Sequence, residues 1–201
     1  MKTLEQVLSL LPWTVASDWK QHTKGGGWVH IKATVDPSVF VEGIVFGNAH
    51  ISGNARITDN AQIFGDAWIF GDAWIFGNAR VFGDAQIFGD AQISGDAQIF
   101  GNARVFGNAR VFGNARVFGD ARVFGDARVF GDAWSCSPLF IQGTRHSLTN
   151  CAHGKIAIGC RVHTFAEWKK LAKEIGKAEG YTETQVSEYQ AYIDLFCKVG
   201  K

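Results

Sequence analysis

The residues best suited to chemistry gather in one segment near the C-terminus. Guanidinium groups, imidazoles, hydroxyls and an amide occur there close together, followed by a tryptophan: Arg145, His146, Ser147, Thr149, Asn150, Arg161, His163 and Trp168. Guanidinium groups and hydroxyls donate hydrogen bonds to anions, and guanidinium matches the geometry of phosphate and carboxylate. Small-molecule pockets combine a few such groups with apolar walls. The segment therefore predicts a polar pocket for an anionic or nucleotide-like ligand.

The same segment admits two other chemistries. Thiolates and imidazoles are zinc ligands, and Cys151, His153, Cys160 and His163 supply both kinds. However, this spacing is unusual for zinc, and a buried structural cysteine is the more common case, so we predict no metal and no cofactor. His146 or His163 would be the general base of an enzyme. Each of these side chains is also compatible with an ordinary position on a strand edge or loop.

Short strands and two helices must position this segment. Apolar runs at residues 139–142 and 155–158, bounded by Gly and Asn, predict two or three strands. Thr164 with Glu167 forms a capping box for a helix to about Ile175, and Thr182 with Gln185 opens a second helix. A third capping box, Thr3 with Gln6, predicts a short N-terminal helix. We expect the two C-terminal helices to cover one open end of the solenoid, and the N-terminal helix with the Gly-Gly-Gly loop at residues 25–27 to cover the other.

The middle of the chain is a repeat of very short period. Residues 47–130 are fourteen consecutive six-residue units of the type Gly-Asn/Asp-Ala-x-Ile/Val-Phe, where x is Arg, Gln, Trp or His. Weaker units extend the register back to Val35 and forward to Cys136. The four residues Ala-x-Ile/Val-Phe alternate as in a short strand, and the Gly with its Asn or Asp forms a corner. Three such sides close a triangular coil of eighteen residues, and the coils stack at about 4.8 Å.

Side-chain volume predicts which residues point inward. A narrow lumen accepts Ala and Ile/Val from every side but not Phe, so x and Phe must point outward. The lumen is then full and has no room for a ligand. Because the units within residues 60–130 are nearly identical, a unique catalytic centre among them is not expected.

The pattern resembles the hexapeptide-repeat left-handed β-helix proteins, in which an aliphatic residue is followed four positions later by a small one. Ile51 with Ala55 and Val105 with Ala109 keep that spacing, although here an aromatic residue directly follows the aliphatic one. The resemblance implies a left-handed coil. Many such proteins are trimeric acyltransferases whose catalytic histidine lies on a loop that interrupts the coils. This chain has no such loop, so an acyltransferase is an alternative here and not the first choice.

A second resemblance concerns the C-terminal segment. Repeats followed by Ile158, Gly159, Cys160, His163 and Trp168 look like a group of uncharacterised bacteriophage and prophage proteins. This likeness implies a phage accessory protein in the cytoplasm of an infected or lysogenic bacterium. The first residues carry a glutamate within their apolar stretch and lack a signal-cleavage site, and the four cysteines have no tight framework, which fits that compartment.

The outward phenylalanines predict self-association. One side of the prism carries an uninterrupted ladder of Phe46, Phe64, Phe82, Phe100 and Phe118. Such a ladder exceeds the apolar patch that a monomer normally exposes, so we predict that this face is buried in a homo-oligomer, most simply a trimer. Alternatively, the stacked rings only stabilise neighbouring coils, with arginines lying over them or paired with corner aspartates.

The predictions combine into one hypothesis. We expect an all-β solenoid, a left-handed triangular β-helix, with an N-terminal helix and cap at residues 1–34, the β-helix at 35–136, and strands with a two-helix cap and oligomerisation module at 137–201. A net charge of +1 argues against nucleic-acid binding, and no run is long enough to span a membrane. The favoured function is a non-enzymatic homo-oligomer that sequesters a small anionic host molecule. An acyltransferase and a structural or host-protein-blocking scaffold are the alternatives.

Overall fold

The structure is a computed structural model that describes residues 2–131 and 133–200; Met1, Asp132 and Lys201, which fall inside the ranges predicted above, lie outside the described residues. The described elements, in chain order, are α1 (Leu4–Leu10), a 3₁₀ turn (Ala16–Asp18), β1 (Trp19–Gln21), β2 (Trp28–His30), β3 (Thr34–Val35), β4 (Phe40–Val41), β5 (Ile44–Val45), β6 (His50–Ile51), β7 (Arg56–Ile57), β8 (Gln62–Ile63), β9 (Trp68–Ile69), β10 (Trp74–Ile75), β11 (Arg80–Val81), β12 (Gln86–Ile87), β13 (Gln92–Ile93), β14 (Gln98–Ile99), β15 (Arg104–Val105), β16 (Arg110–Phe112), β17 (Arg116–Val117), β18 (Arg122–Val123), β19 (Arg128–Phe130), β20 (Ala133–Trp134), β21 (Phe140–Gln142), β22 (Ser147–Ala152), β23 (Lys155–Ile158), β24 (Arg161–Thr164), α2 (Phe165–Ala178) and α3 (Glu183–Val199).

The repeats form a three-sided solenoid of about six coils. The first face has the strand order β1-β2-β5-β8-β11-β14-β17-β20, the second β3-β6-β9-β12-β15-β18, and the third β4-β7-β10-β13-β16-β19. Within each face the repeat strands run parallel, and partners are eighteen residues apart, as Trp74 is from Arg56 and from Gln92. The eighteen-residue coil is thus confirmed, together with one N-terminal and two C-terminal helices. Its left-handed sense, implied by the resemblance, stays a prediction.

The inward and outward positions are those predicted from volume. Every repeat alanine from Ala49 to Ala127, and every aliphatic residue that follows two positions later, is essentially inaccessible to solvent. The x residues and the phenylalanines lie outside. The backbone is satisfied along the axis, since the N–H of Trp74, for example, donates to the carbonyl of Ala91 at 2.9 Å. The filled lumen follows directly from the alternation in the sequence.

The first coil departs from the repeat. Phe40 pairs with Arg56, sixteen residues away, whereas the eighteen-residue register places it opposite Thr58. Only two residues separate β4 from β5, instead of the usual four. The predicted six-residue unit at residues 35–40 is therefore two residues out of register, whereas Ile44 in the next unit keeps the eighteen-residue spacing to Gln62. Gly43 makes the short corner possible, because a Cβ at this position would lie 2.3 Å from the carbonyl oxygen of Ala61.

The N-terminal helix lies on the side of the solenoid and not over its open end. Val7 and Leu11 pack with Ile44, an outward residue of the first face, and against the rings of Phe46 and Phe64. The expectation that α1 covers the end is therefore wrong, since the apolar surface available to its buried stripe is on the face. The end is closed by the glycine-rich loop at residues 22–27, where the Gly27 N–H donates to Val41 O at 2.7 Å.

At the other end, an indole and a sheet close the solenoid. Trp134 pairs in register with Val117, so its ring fills the last lumen position at 1% exposure. The antiparallel sheet β21-β22-β23-β24 follows, with β22 packed beside β19. Helices α2 and α3 pack on this sheet through Trp168, Tyr189 and Phe196. The predicted direct cap is therefore corrected: the sheet packs beside the last coil, and the helices pack on the sheet.

Both C-terminal helices begin where the capping boxes predict. Thr164 accepts a hydrogen bond from the N–H of Glu167, and Thr182 accepts one from Gln185. Within residues 2–131 and 133–200, no helix combines the length and the apolar character needed to cross a bilayer.

Candidate functional site

A polar cleft of about 260 Å³ separates the last coil from the C-terminal sheet. Its walls are Asp126, Arg128, Gln142, Arg145, His146, Ser147, Thr149, Ala157 and Gly159. Four of the eight predicted ligand residues meet here: Arg145, His146, Ser147 and Thr149. The cleft is the part of the predicted site that the fold brings together.

The solenoid supplies the residues that the sequence analysis did not include. Arg128 and Asp126 come from the last coil, and Gln142 from the end of β21. Arg128 occupies the same outward column as Arg110, one coil earlier, and nothing in its own repeat unit distinguishes it. Only its position in the chain could have indicated a role in the site, because Arg128 belongs to the last arginine-containing unit before the repeats stop.

The two walls of the cleft are joined by a hydrogen bond. Arg128 Nη1 donates to the carbonyl of Gly159 at 3.2 Å, which holds the turn between β23 and β24 against the last coil. Thr149 lies in the middle of β22, between Phe140 and Ala157, with 2% of its surface exposed. The cleft floor is therefore a strand, and its position is set by backbone pairing.

One tyrosine holds the loop that carries Arg145 and His146. The Tyr189 hydroxyl accepts hydrogen bonds from the N–H groups of Arg145 at 2.9 Å and His146 at 2.5 Å, and donates to the His146 carbonyl at 2.8 Å. Thr144 adds two bonds to the Glu188 carboxylate, at 3.1 and 2.6 Å. These bonds keep the pKa of Glu188 below its usual value. The loop is therefore anchored to α3.

The Arg145 guanidinium extends toward the junction of the two helices. Nη1 donates to the Gly180 carbonyl at 2.9 Å, and the group lies 4.7 Å from the centre of the Tyr181 ring. Burial raises the pKa of Tyr181 to about 12, so this ring is neutral at physiological pH. The guanidinium thus packs on a ring by cation–π contact, and its charge makes a minor contribution, after Arg161, to lowering the pKa of the Glu179 carboxyl.

A second, apolar cavity of about 90 Å³ adjoins the cleft, and His146 lines both. Arg161 and Trp168, predicted for the ligand pocket, belong to this second cavity. Arg161 forms a 2.6 Å salt bridge with Glu179 and, through that hydrogen bond, lowers the carboxyl pKa. The Trp168 indole is buried and donates to Ile156 O at 2.8 Å, which is a structural role.

Asn150 and His163 lie away from the cleft. The Asn150 amide is buried and donates to the carbonyls of Ala152 and Lys155, both at 3.0 Å, so it closes the turn between β22 and β23. His163 packs edge-on against Trp168 at 4.9 Å, with Nδ1 4.0 Å from Glu167. The structure thus does not place these two with the other four.

The four zinc candidates do not converge. Cys151 lies near the turn that joins β22 to β23, whereas Cys160 lies in the next turn, at the far end of β23. Cys151 is buried, and burial raises its thiol pKa to about 11, while Cys160 is exposed. Among the residues that the structure describes, no group of three or more metal-ligating side chains is close enough to hold an ion.

The first-face phenylalanines stack as a ladder. Phe82 and Phe100 are parallel at 4.8 Å, and Phe100 and Phe118 at 5.1 Å. At the N-terminal end, Phe46 stacks with Trp19 at 5.8 Å, and α1 packs against both Phe46 and Phe64. Two of the five predicted interface residues are therefore packed against the N-terminal segment of their own chain. Burial of this ladder in an oligomer stays a prediction.

Comparison with known proteins gives one similarity. Residues 97–111, 109–123 and 121–137 each match the model of a repeat family described as the YdcK beta solenoid repeat. No curated protein and no solved structure matches the chain. The repeat match covers less than half of the sequence and supports the β-solenoid built from repeats.

Proposed function

We propose that this protein is a non-enzymatic binding protein that holds a small anionic ligand in the cleft between the last coil and the C-terminal sheet. The observation that carries the proposal is the charge of this cleft. Arg128 and Arg145 bring two permanent positive charges, and the single carboxylate is that of Asp126. Guanidinium groups and hydroxyls are the donors that phosphate and carboxylate prefer.

The size of the cleft supports a small ligand. Its volume of about 260 Å³ is near the lower end of the range for small-molecule pockets, roughly 300 to 1,000 Å³. A nucleotide would place its phosphate in the cleft, with the rest of the molecule reaching toward the solvent. The anchored loop at residues 143–146 favours binding, since a preformed site loses little conformational entropy when it is occupied.

The biological part of the proposal extends the resemblance to phage proteins. A solenoid without an interrupting catalytic loop fits a protein that sequesters a host molecule better than one that transforms it. The proposal also keeps two predictions from the sequence: the protein is a homo-oligomer, and it acts inside an infected or lysogenic bacterial cell. A signalling nucleotide of the host has the required anionic chemistry.

The test is binding by the intact chain. Mass analysis of gently purified protein, followed by calorimetry with a nucleotide panel and inorganic phosphate, should identify the ligand. Arg128→Gln should weaken binding by about tenfold or more, because a charge-assisted hydrogen bond is worth roughly 1.5 to 3 kcal/mol. Arg110→Gln is the matched control, since Gln is common at this repeat position and Arg110 lies one coil before the cleft; it should bind as the parent does.

Two results would overturn the proposal. One is a chain that carries no ligand and binds none of the panel. The other is turnover of an acyl-coenzyme A that His146→Ala abolishes, which would establish the acyltransferase alternative, with the exposed imidazole as base.

A further inference from the structure

The second face of the solenoid is a long outward surface with large exposed rings. Trp68 is 52% exposed, and Phe70 and Phe124 are each 38% exposed. Helix α1 packs on the first face. The C-terminal segment reaches the last coil of the second face, where the Phe140 ring lies 5.7 Å from that of Phe124. Exposed aromatic side chains of this size commonly mark an interaction surface.

The two halves of this face differ in chemistry. Its x column reads, from the first coil to the last, His50, Trp68, Gln86, Arg104 and Arg122. The first half is aromatic, with the rings of His50 and Trp68 5.0 Å apart, and the second half is cationic. Guanidinium groups bind the faces of aromatic rings, so each half complements the other.

A second copy in the reverse direction satisfies this complementarity. With a two-fold axis through Gln86, Trp68 of each copy faces Arg104 of the other. His50 then faces Arg122, and the two Gln86 amides face each other, where they can exchange hydrogen bonds. Such an interface is isologous, which is the ordinary geometry of a homodimer.

The corner residues specify the same register. The two-fold axis of this dimer is parallel to the strands of the face. Each edge of the face therefore lies opposite the same edge of the other copy. The two edges carry these columns: Asn48, Asp66, Asp84, Asn102 and Asp120 on one, and Asn54, Asp72, Asp90, Asn108 and Asp126 on the other. In the reversed copy every asparagine lies opposite an aspartate. Asp84 and Asp90 are the exceptions within these two columns: each lies opposite the same residue of the other copy, at the rim of the interface.

A shifted register loses this match. If the axis lay between Gln86 and Arg104, Asp66 would face Asp120 along one edge and Asp72 would face Asp126 along the other. Each Asn amide has two N–H donors. The Asn48 amide, for example, uses one of them on Asp66 of its own column, at 2.9 Å. A second donor is thus present for the opposite copy.

The other faces are less suited to this contact. The third face has the same order from its tryptophan onward, but it begins with Arg56 in place of a histidine. Its Trp74 donates Nε1 to the Thr58 hydroxyl at 3.2 Å and lies 5.6 Å from the Arg56 guanidinium. Its Arg128 is bonded to Gly159. On the first face, α1 occupies one end.

We infer that the second face is a self-recognition surface through which two copies of this chain form an antiparallel dimer, with Trp68 of each copy against Arg104 of the other. The contact spans about 20 Å along the axis, because four steps of roughly 4.8 Å separate His50 from Arg122. An interface of this length falls in the small, reversible class. The dimer therefore dissociates on dilution.

Sedimentation equilibrium of the full chain, from micromolar to submillimolar concentration, tests the inference. Trp68→Gln and Arg104→Gln should each raise the dimer dissociation constant by about tenfold or more, since symmetry removes two cation–π contacts of roughly 1 kcal/mol at once. Trp74→Gln and Arg110→Gln are the matched controls on the third face and should leave the dimer dissociation constant unchanged. Gln is native to this position in other units, so all four variants keep the repeat.

Two further variants test the register. Asp84→Asn, which uses the other native corner residue, should tighten the dimer because it removes the like-charge pair. In a background with the exposed Cys136 and Cys160 replaced by serine, Gln86→Cys should be captured as a dimer by a short bismaleimide, and Gln92→Cys on the third face should not.

Three outcomes overturn the inference: a monomer over the whole concentration range, a dimer that Trp74→Gln weakens and Trp68→Gln does not, or a dimer that only Phe82→Ser on the first face disrupts. The last would instead support the first-face interface predicted from the sequence. None of these variants touches the cleft, so its ligand binding is measured independently.

Discussion

The corner glycines decide at the residue scale whether two coils can stack. Gly95 has φ +68°, and a Cβ there would lie 2.9 Å from the backbone nitrogen of Gly113 in the next coil. Gly113 has nearly the same backbone, at φ +66°, but the nearest atom to its Cβ position is 4.0 Å away. Both positions therefore require glycine for its left-handed backbone conformation. Gly95 requires it also for steric reasons, because a Cβ there would meet the next coil.

This difference predicts unequal costs for the same substitution. Gly113→Ala should lower the free energy of unfolding by about 1–2 kcal/mol, the cost of a left-handed backbone for a residue with a Cβ. Gly95→Ala should cost roughly 1–3 kcal/mol more, as overpacking against the next coil is added. Urea unfolding followed by circular dichroism measures both, and equal losses for the two variants would contradict the steric argument.

At the scale of elements, each helix begins at a capping box, and the three boxes differ in one residue. Those of α1 and α3 use Gln6 and Gln185, whereas that of α2 uses Glu167. Hydrogen bonds from the Thr164 N–H and hydroxyl, both at 2.8 Å, hold the pKa of Glu167 below its usual value. Of the three capping boxes, the one that starts α2 therefore contains a titratable side chain.

The sign of the resulting pH dependence follows from the lowered pKa. The carboxylate stabilises the start of α2 above the ordinary pKa of glutamate, and this contribution is lost as the pH falls through the lower value in the folded protein. The Thr164 amide proton resonance should report the transition in an NMR titration. Glu167→Gln should keep the helix and abolish the transition; a midpoint at or above the usual glutamate value would contradict the argument.

At the scale of the whole molecule, the solenoid behaves as a stack of equivalent coils. Residues 83–100 form one complete eighteen-residue turn between Phe82 and Gly101. Contacts in such a structure are between neighbouring coils, and stability is approximately a sum of coil and interface contributions. Removal of a whole middle coil should therefore be compatible with folding, whereas a change in the register of the remaining coils should not.

Deletion of residues 83–100 should give a folded protein with a free energy of unfolding lower by a few kcal/mol. Deletion of residues 83–91, half a turn, joins Phe82 to Gln92 and places outward residues in lumen positions, so we expect loss of cooperative unfolding. Far-UV circular dichroism with thermal melts distinguishes the two. Equal behaviour of both deletions would show that the eighteen-residue period does not control folding.

The sequence by itself determined the main features that depend on local periodicity, apart from the register of the first coil. The six-residue repeat, the eighteen-residue coil, the inward Ala and Ile/Val and the three capping boxes follow from spacing, because a strand alternates its faces and a helix start needs its donors satisfied. The loop bearing Arg145 and His146 was also found from its residue types. These signals lie within a few positions of one another in the chain.

Only the tertiary structure decided what meets across the ends of the solenoid. The unit that contains Arg128 has the same sequence as the unit that contains Arg122, and the place of Arg128 in the cleft follows from where the terminal sheet docks. Tyr189 holds the cleft loop, but the sequence pattern predicts for it only a place on the apolar side of a helix. The path of α1 along the first face depends on the packing of Val7 and Leu11 against the apolar Ile44 at an outward position. Such contacts join residues tens of positions apart, and no local pattern records them.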